Sequence, residues 1–261
     1  MSVEFSVCDS PDDFARLAAD VVETVVRGKP DAAIGFATGG TPRGLYSELA
    51  ARVEGGTLDL SQVRGFALDE YVGLAPEDER SFAAYLGRHV IRPLRLTARR
   101  FAPLDGSTAP PAVLAGRCVT HERAIRVAGG LDLQIVGLGT NAHLAFNEPG
   151  SSFESRTRVA ALSPSTRRAN AASFGTPADV PAFALTLGLA TIVDARMILL
   201  VAAGDEKADA VAAAFDGPID PSCPASLLQR HRDVRAVLDP AAASGLSRRG
   251  RGFPTVLETH A

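Results

Sequence analysis

The stretch Ile135–Gly150, IVGLGTNAHLAFNEPG, concentrates side chains that can move protons. It starts as an apolar run, and its glycines and polar groups then follow at Gly137, Gly139, Asn141, His143 and Glu148. A histidine transfers protons near neutral pH, and a neighbouring carboxylate can orient the imidazole and stabilise its charged form. The stretch therefore predicts a catalytic loop. The alternative is an ordinary glycine-rich junction at the end of a strand.

A second candidate is Asp69, which directly follows the apolar run Val63–Leu68. A carboxylate at the end of a buried strand is partly desolvated, and this raises its pKa towards that of a general base. The same pattern is typical of a helix cap or a salt-bridged acid, and the sequence does not separate these readings. Glu70 points elsewhere and is predicted to be structural.

The run Ala37–Pro42, ATGGTP, places glycines and hydroxyls just before a predicted helix. Its candidate ligand residues are Thr38, Gly39, Gly40 and Thr41. Backbone N–H groups at a helix N-terminus suit a phosphate, but a tight turn that only joins strand to helix fits equally well. Lys207 also begins a helix, where a cation is unfavourable unless an anion lies nearby. Together these runs favour a phosphorylated substrate.

The remaining composition excludes several kinds of protein. The 261-residue chain has 27 basic and 30 acidic residues, so its charge gives no argument for nucleic acid or membrane binding. Its three cysteines form no C-x-x-C pair, and one histidine among scattered acids makes no metal site. No run is long enough to span a membrane. We expect a cytoplasmic protein without a metal, and we expect surface positions for His89, His121, His231 and His260.

The elements that must position these groups alternate between strand and helix. Apolar runs predict strands at Val3–Val7, Ala32–Ala37, Val63–Leu68, Leu131–Gly137, Met197–Ala203 and Val234–Leu238. Helices are predicted near 10–28, 43–53, 81–91, 111–125 and 184–193, with shorter ones after Gly204 and within Pro221–Arg230. Residues 151–170 are polar and Arg-rich, and 174–181 are expected to be irregular or mobile.

This alternation is typical of an α/β fold with a mostly parallel sheet and helices on both faces. Four predicted loops, which hold the candidate residues, leave the carboxyl ends of predicted strands: 38–41, 69–71, 137–148 and 204–207. In such a sheet these ends converge on one crevice. A carboxylate base opposite a His–Glu pair, beside a phosphate cradle, suits enolisation of a sugar phosphate.

With these residues assembled, the sequence resembles the glucosamine-6-phosphate deaminase (isomerase) family from about Ile34 to Leu238. The resemblance rests on ATGGTP, ALDEYVGL, GLGTNAHLAFNEPGSSFESRTR, ALTLGLATI and the Lys207 loop. It implies a single Rossmann-like domain, 1–246, followed by a peripheral tail, 247–261. It also implies conversion of glucosamine 6-phosphate and water to fructose 6-phosphate and ammonia, without a metal or an organic cofactor.

The resemblance also implies roles for the candidate residues. Asp69 would move the proton between C2 and C1, and His143 would open the sugar ring with support from Glu148 and Asn141. The substrate-binding positions would be Thr38, Gly39, Gly40, Thr41, Gly137, Gly139 and Lys207. The partner is a small hexosamine phosphate, and the chain is either a monomer or a homo-oligomer, because the family includes both.

Two departures from the family pattern bear on substrate and regulation. Ala172 stands where an arginine for the phosphate is expected, so galactosamine 6-phosphate, another hexosamine phosphate or a weakly active binding protein stay as alternatives; Arg167 or Arg168 could substitute. Regulated members bind N-acetylglucosamine 6-phosphate between subunits. Ser151 and Arg158 match that site, but Ala160 replaces its lysine, so we expect no strong activation.

Overall fold

A computed structural model describes residues 3–247 and shows a parallel sheet at the centre of the chain. Its strands are β1 (Val3–Val7), β2 (Ala33–Phe36), β3 (Arg64–Ala67), β5 (Phe101–Ala102), β6 (Leu133–Gly137), β9 (Met197–Ala202) and β10 (Val234–Leu238). Across the sheet these seven strands lie in the order β1-β10-β9-β6-β2-β3-β5, and every pairing is parallel. The predicted α/β class and parallel sheet are confirmed.

Within residues 3–247, seven α-helices accompany the strands. They are α1 (Pro11–Gly28), α2 (Arg43–Glu54), α3 (Phe82–Leu86), α4 (Pro111–Val127), α5 (Pro164–Asn170), α6 (Leu189–Val193) and α7 (Ala208–Phe215). A π-helical turn, Gly87–Ile91, extends α3, and 3₁₀ turns cover Ala98–Arg100, Ala171–Ser173, Asp205–Lys207 and Pro224–Arg230. Strands β2 and β6 are almost wholly buried, as both faces of a covered parallel sheet require.

Local sequence explains where α1 begins. Ser10 is extended and its side chain accepts a hydrogen bond from the backbone N–H of Asp13, while Pro11 occupies the first helical position. The apolar face of the helix then buries Phe14, Ala18 and Val22. A cap and an apolar stripe thus agree on the same helix, which the sequence predicted.

A second, antiparallel sheet was not predicted. Strands β4 (Asp69–Tyr71), β8 (Phe183–Thr186) and β7 (Arg158–Ala161) form it in the order β4-β8-β7. The expectation of a loop at 69–71 is therefore wrong, because β8 supplies hydrogen-bond partners from far along the chain. Asp69 lies opposite Thr186 in this pairing.

The predicted helix over 184–193 is correct only in its second half. Residues 183–186 form β8, and the helix α6 begins at Leu189 after Gly188. A Cβ on Gly188 would collide with the backbone of Ser155, so glycine permits the close approach at this change of direction. Sheet pairing overrides the local pattern here.

Two histidines also depart from expectation. His121 and His231 are 4% and 5% exposed rather than on the surface. Each places its Nε2 against a backbone carbonyl, of Ala67 at 3.1 Å and of Ala195 at 2.8 Å. Burial lowers the pKa of His121 to about 4, although the contact with the Ala67 carbonyl acts to raise it. His89 is half-buried, and His260 lies outside the described residues.

The described part of the chain contains no helix that is long and apolar enough to cross a membrane. Of the tail predicted at 247–261, only Ser247 is described, and its N–H and hydroxyl donate to Asp216. Residues 248–261 lie outside the described range, so the domain boundary at 246 stays a prediction.

Candidate active site

A cavity of about 330 Å³ lies at the carboxyl ends of β2, β3, β6 and β9. The segments predicted to converge do so, since all of them contribute to its wall. From the predicted site the lining includes Thr38, Gly39, Gly40, Thr41, Asp69, Gly137, Gly139, Asn141, His143 and Lys207. Glu148 stands behind His143 and Asn141 instead of lining the cavity.

Asp69 starts β4, immediately beyond the end of β3, and is 6% exposed. Its Oδ1 is buried and has no hydrogen-bond partner within residues 3–247. Burial, and after it repulsion from Glu70, raises the pKa of Asp69 to about 8. Such a carboxylate is ionised for part of the neutral range. It is then basic enough to remove a proton from a carbon atom next to a carbonyl group.

Glu70 turns away from the cavity and has a structural role, as predicted. Its carboxylate accepts the backbone N–H groups of Tyr71, Phe82 and Ala83 at 2.7 to 3.0 Å. Burial raises its pKa, although these three donors oppose the shift. Glu70 thereby fixes the N-terminus of α3 against β4.

His143 sits in a tight loop that the backbone closes on itself. The N–H of Gly139 donates to the carbonyl of His143 at 3.1 Å, and the N–H of Ala142 donates to the carbonyl of Gly139 at 2.9 Å. Ala142 and Ala145 adopt φ angles of 62° and 50°, which cost energy for residues with a Cβ. A Cβ on Gly139 would lie 2.5 Å from the imidazole, so glycine lets the ring pack against the backbone.

Glu148 joins the histidine loop to the segment that follows it. Its Oε2 accepts a hydrogen bond from Nδ2 of Asn141 at 2.8 Å, and its Oε1 accepts one from the backbone N–H of Ser163 at 3.0 Å. Burial opposes ionisation, but His143 and polar donors from Thr166, Ser163 and Asn141 more than offset it and lower the pKa of Glu148 to about 2. The group is a carboxylate at neutral pH.

The cationic side of the cavity is sparse. Lys207 closes the 3₁₀ turn before α7 and is half-buried, and burial lowers its pKa although Glu206 opposes the shift. It is the only lysine or arginine among the lining residues in the described part of the chain. Neither Arg167 nor Arg168, the candidates to replace the arginine expected at Ala172, lines the cavity. The guanidinium of Arg167 instead donates to the carbonyls of Ala178 and Val180. Ala172 is exposed.

Sequence reasoning missed the wall formed by α5. Ser165, Thr166, Ala169 and Asn170 line the cavity, as do Phe82 and Phe146. The sequence did carry a signal for this helix, because Ser163-Pro164 is a capping residue followed by proline. The hydroxyl of Ser163 accepts a hydrogen bond from the backbone N–H of Thr166. Phe82 and Phe146 stack at 5.8 Å within a smaller apolar cluster beside the cavity.

Within residues 3–247, no group of three or more histidine, cysteine, aspartate or glutamate side chains could hold a metal ion. The polar groups on the cavity wall are instead suited to proton transfer and to binding an anion. The arrangement is a buried base, a His–carboxylate pair and a loop of backbone N–H groups around one small space.

Comparison with known proteins bears on the family of the chain. The family model described as glucosamine-6-phosphate isomerases/6-phosphogluconolactonase matches residues 9–237. The chain is 46% identical over 230 residues to a glucosamine-6-phosphate deaminase of Arthrobacter sp. (strain FB24), covering 88% of this chain and 87% of the relative. It is 47% identical over 235 residues to one of Rhodopirellula baltica, covering 90% and 92%.

Solved structures give the same result for the fold. A monomeric glucosamine-6-phosphate deaminase superposes with a TM-score of 0.89 at 36% identity, over 93% of this chain and 99% of that one. A 6-phosphogluconolactonase from Trypanosoma cruzi superposes with a TM-score of 0.76 at 21% identity, over 94% and 97%. The second likeness concerns the fold alone.

Proposed function

The chain belongs to the glucosamine-6-phosphate isomerase and 6-phosphogluconolactonase family, and we propose that it is an enzyme that converts glucosamine 6-phosphate and water to fructose 6-phosphate and ammonia. The observation that carries the proposal is the meeting of Asp69 and His143 with the Thr38–Thr41 loop and Lys207 on one cavity. A phosphate at the loop would leave the sugar carbons facing the two proton-transfer groups.

The first step is opening of the sugar ring at His143. Ring opening removes a proton from the C1 hydroxyl and delivers one to the ring oxygen, and an imidazole can do both. Glu148, held by Asn141, stabilises the positive charge that the imidazole carries between the two transfers. The product is the open-chain aldehyde.

The second step belongs to Asp69. Its ionised carboxylate takes the proton from C2, which the C1 carbonyl makes acidic, and the resulting enolamine receives the proton at C1. The C2 imine that remains then adds water and loses ammonia to give the ketone. No redox partner is needed, because the oxidation of C2 balances the reduction of C1.

The phosphate would be bound by Thr38, Gly39, Gly40 and Thr41 together with Lys207, while Gly137 and Gly139 keep the neighbouring wall open to the sugar. The four residues precede α2, where backbone N–H groups and the helix dipole favour an anion. Lys207 adds a positive charge to the same cavity. The assignment of these residues to substrate binding stays a prediction.

A direct assay tests the proposal. Purified protein is incubated with glucosamine 6-phosphate, and ammonia and fructose 6-phosphate are measured over time. We expect both products in equal amounts. The absence of product at high enzyme concentration would reject the proposal, whereas tight binding without ammonia release would support a sugar-phosphate-binding protein.

A second candidate substrate follows from the phosphate site. Ala172 replaces the arginine that the family places there, and Arg167 is bound to backbone carbonyls elsewhere. Loss of a charge-assisted contact costs about 1.5–3 kcal/mol, or roughly ten- to a hundredfold in binding. Galactosamine 6-phosphate or another hexosamine phosphate could then be preferred, and kcat/KM measured across the epimers decides between them.

Two further expectations stay predictions. We propose no specific assembly beyond the choice between monomer and homo-oligomer, which light scattering after size-exclusion chromatography measures. A cytoplasmic location is likewise expected and is checked by fractionation of cells. Neither bears on the chemistry at Asp69 and His143.

A further inference from the structure

The loop Thr38–Thr41 has backbone N–H groups that donate no hydrogen bond within the described part of the protein. Among the hydrogen bonds of residues 3–247, none is donated by the backbone N–H of Thr38, Gly39, Gly40 or Thr41. All four residues line the cavity. Unpaired N–H groups at a cavity wall are donors for a ligand.

Three carbonyls in and next to this loop, those of Ala37, Gly39 and Gly40, do accept hydrogen bonds from the protein. The hydroxyl of Tyr46 donates to the carbonyl of Ala37 at 2.7 Å, and the hydroxyl of Tyr85 donates to the carbonyl of Gly39 at 2.6 Å. The carbonyl of Gly40 accepts the N–H of Arg43 at 3.2 Å. In a trans peptide the carbonyl and the following N–H point in opposite directions. Fixing these carbonyls therefore fixes the direction of the next N–H groups.

The Gly39–Gly40 peptide depends most on such a contact. Gly39 has a φ of 108°, a conformation open only to glycine, and a Cβ on either glycine would meet nothing within 4 Å. Packing therefore does not hold this peptide plane. Of the described contacts to its carbonyl, the one that could stop it from rotating comes from Tyr85.

Tyr85 is not itself part of the cavity wall. It lies on α3, is half-buried, and packs its ring against His89 at 4.5 Å. Burial raises the pKa of Tyr85 to about 12, with Arg43 opposing the shift, so the hydroxyl stays a donor over the neutral range. Any effect on a ligand must therefore pass through Gly39.

We propose that Tyr85 is a positioning residue for the phosphate subsite, since its hydroxyl holds the Gly39–Gly40 peptide with the Gly40 N–H turned towards the anion. The inference rests on the proposed function, because it assumes a phosphorylated substrate. It explains how a site with Lys207 as its lining cation, and alanine at 172, obtains directed donors for a phosphate. Backbone N–H groups then bind the phosphate where a second cationic side chain would otherwise do so.

The test compares Tyr85→Phe with Ser244→Ala, a matched control that removes another hydroxyl donating to a backbone carbonyl, that of Ala241, in an exposed turn. Dissociation constants for inorganic phosphate are measured by calorimetry, and KM and kcat for glucosamine 6-phosphate by ammonia release. For Tyr85→Phe we expect phosphate affinity and KM to weaken by about tenfold, with kcat changed by less than about threefold. Ser244→Ala should match the wild type in all of these.

Unchanged phosphate affinity in Tyr85→Phe would overturn the proposal, as would a loss in kcat with KM and phosphate affinity unaltered.

A second measurement needs no variant. In the amide NMR spectrum of the wild type, added phosphate should move the Gly40 N–H signal far more than that of Gly44, and an unmoved Gly40 signal would also overturn the proposal. Absence of turnover in the wild type rejects the proposed function instead, while the phosphate titration still tests Tyr85.

Discussion

Oε2 of Glu148 lies 3.7 Å from Nδ1 of His143 and accepts Nδ2 of Asn141 at 2.8 Å. The Nδ1 atom is buried and has no hydrogen-bond partner among the described residues. The carboxylate is thus held beside the imidazole without being bonded to it. A small rotation would let it bind an N–H at Nδ1 and stabilise the ring when it gains a proton.

Glu148→Gln should lower kcat by about a hundredfold with little change in KM, because it removes the charge that stabilises the protonated imidazole. Glutamine keeps an oxygen for the Ser163 N–H, so the fold around it is preserved. Steady-state kinetics measure the effect, and the exposed Glu154→Gln serves as control. A variant with the wild-type kcat would remove Glu148 from ring opening.

The pH dependence of kcat/KM should report Asp69. The base must be ionised to take the C2 proton, and its pKa is about 8. We therefore expect kcat/KM to rise about tenfold per pH unit in the acidic limb and to level off near pH 8. Asp59→Asn, at an exposed aspartate, should leave the profile intact. A profile that is flat from pH 6 to 9 would contradict the assignment.

Asp69→Asn should abolish exchange of the C2 proton with solvent deuterium, and it should also make the free energy of unfolding depend on pH in a different way.

The folded protein keeps a proton on Asp69 up to about pH 8, whereas the unfolded chain releases it near pH 4. The free energy of unfolding therefore falls as pH rises between these values, and asparagine removes that fall.

Denaturant unfolding of both proteins at several pH values measures this second effect. The variant should be more stable than the wild type above pH 8, and the difference should shrink towards pH 4. An offset that is constant across the range would show that Asp69 is ionised in the folded protein throughout, and retained exchange at C2 would exclude it as the base.

N-acetylglucosamine 6-phosphate should not activate the enzyme strongly. The residues that match the regulatory site of the family are engaged within the chain, since Arg158 donates to Asn147 at 2.7 Å and to Ser151 at 3.2 Å. Ala160 supplies no charge where a lysine is expected. Substrate saturation curves with and without the ligand should share one midpoint, and a clear shift in that midpoint would refute the prediction.

Much of the fold and site was predictable because each signal was local. The apolar strands β2 and β6, the cap of α1 and the glycines that follow β2, β6 and β9 are readable in short windows. The convergence of Asp69, His143 and Lys207 then follows from parallel topology, which brings the carboxyl ends of strands to one edge.

What the sequence could not predict depends on pairing between distant segments. β4 is three residues long, begins with two acids and has no alternation to identify it, yet β8 pairs with it more than 110 residues later. The same pairing converts the first half of the predicted helix at 184–193 into a strand. Burial of His121 and His231 likewise depends on the carbonyls of Ala67 and Ala195, which only the fold brings to them.

The two oxygens of Glu148 belong to different parts of the active site. One holds Asn141 in the histidine loop, and the other holds the N–H of Ser163, the residue that caps α5. Since α5 forms one wall of the cavity, displacing its capping residue Ser163 would break the hydrogen bond to Glu148. The position of this wall is thereby coupled to the position of the carboxylate that serves His143.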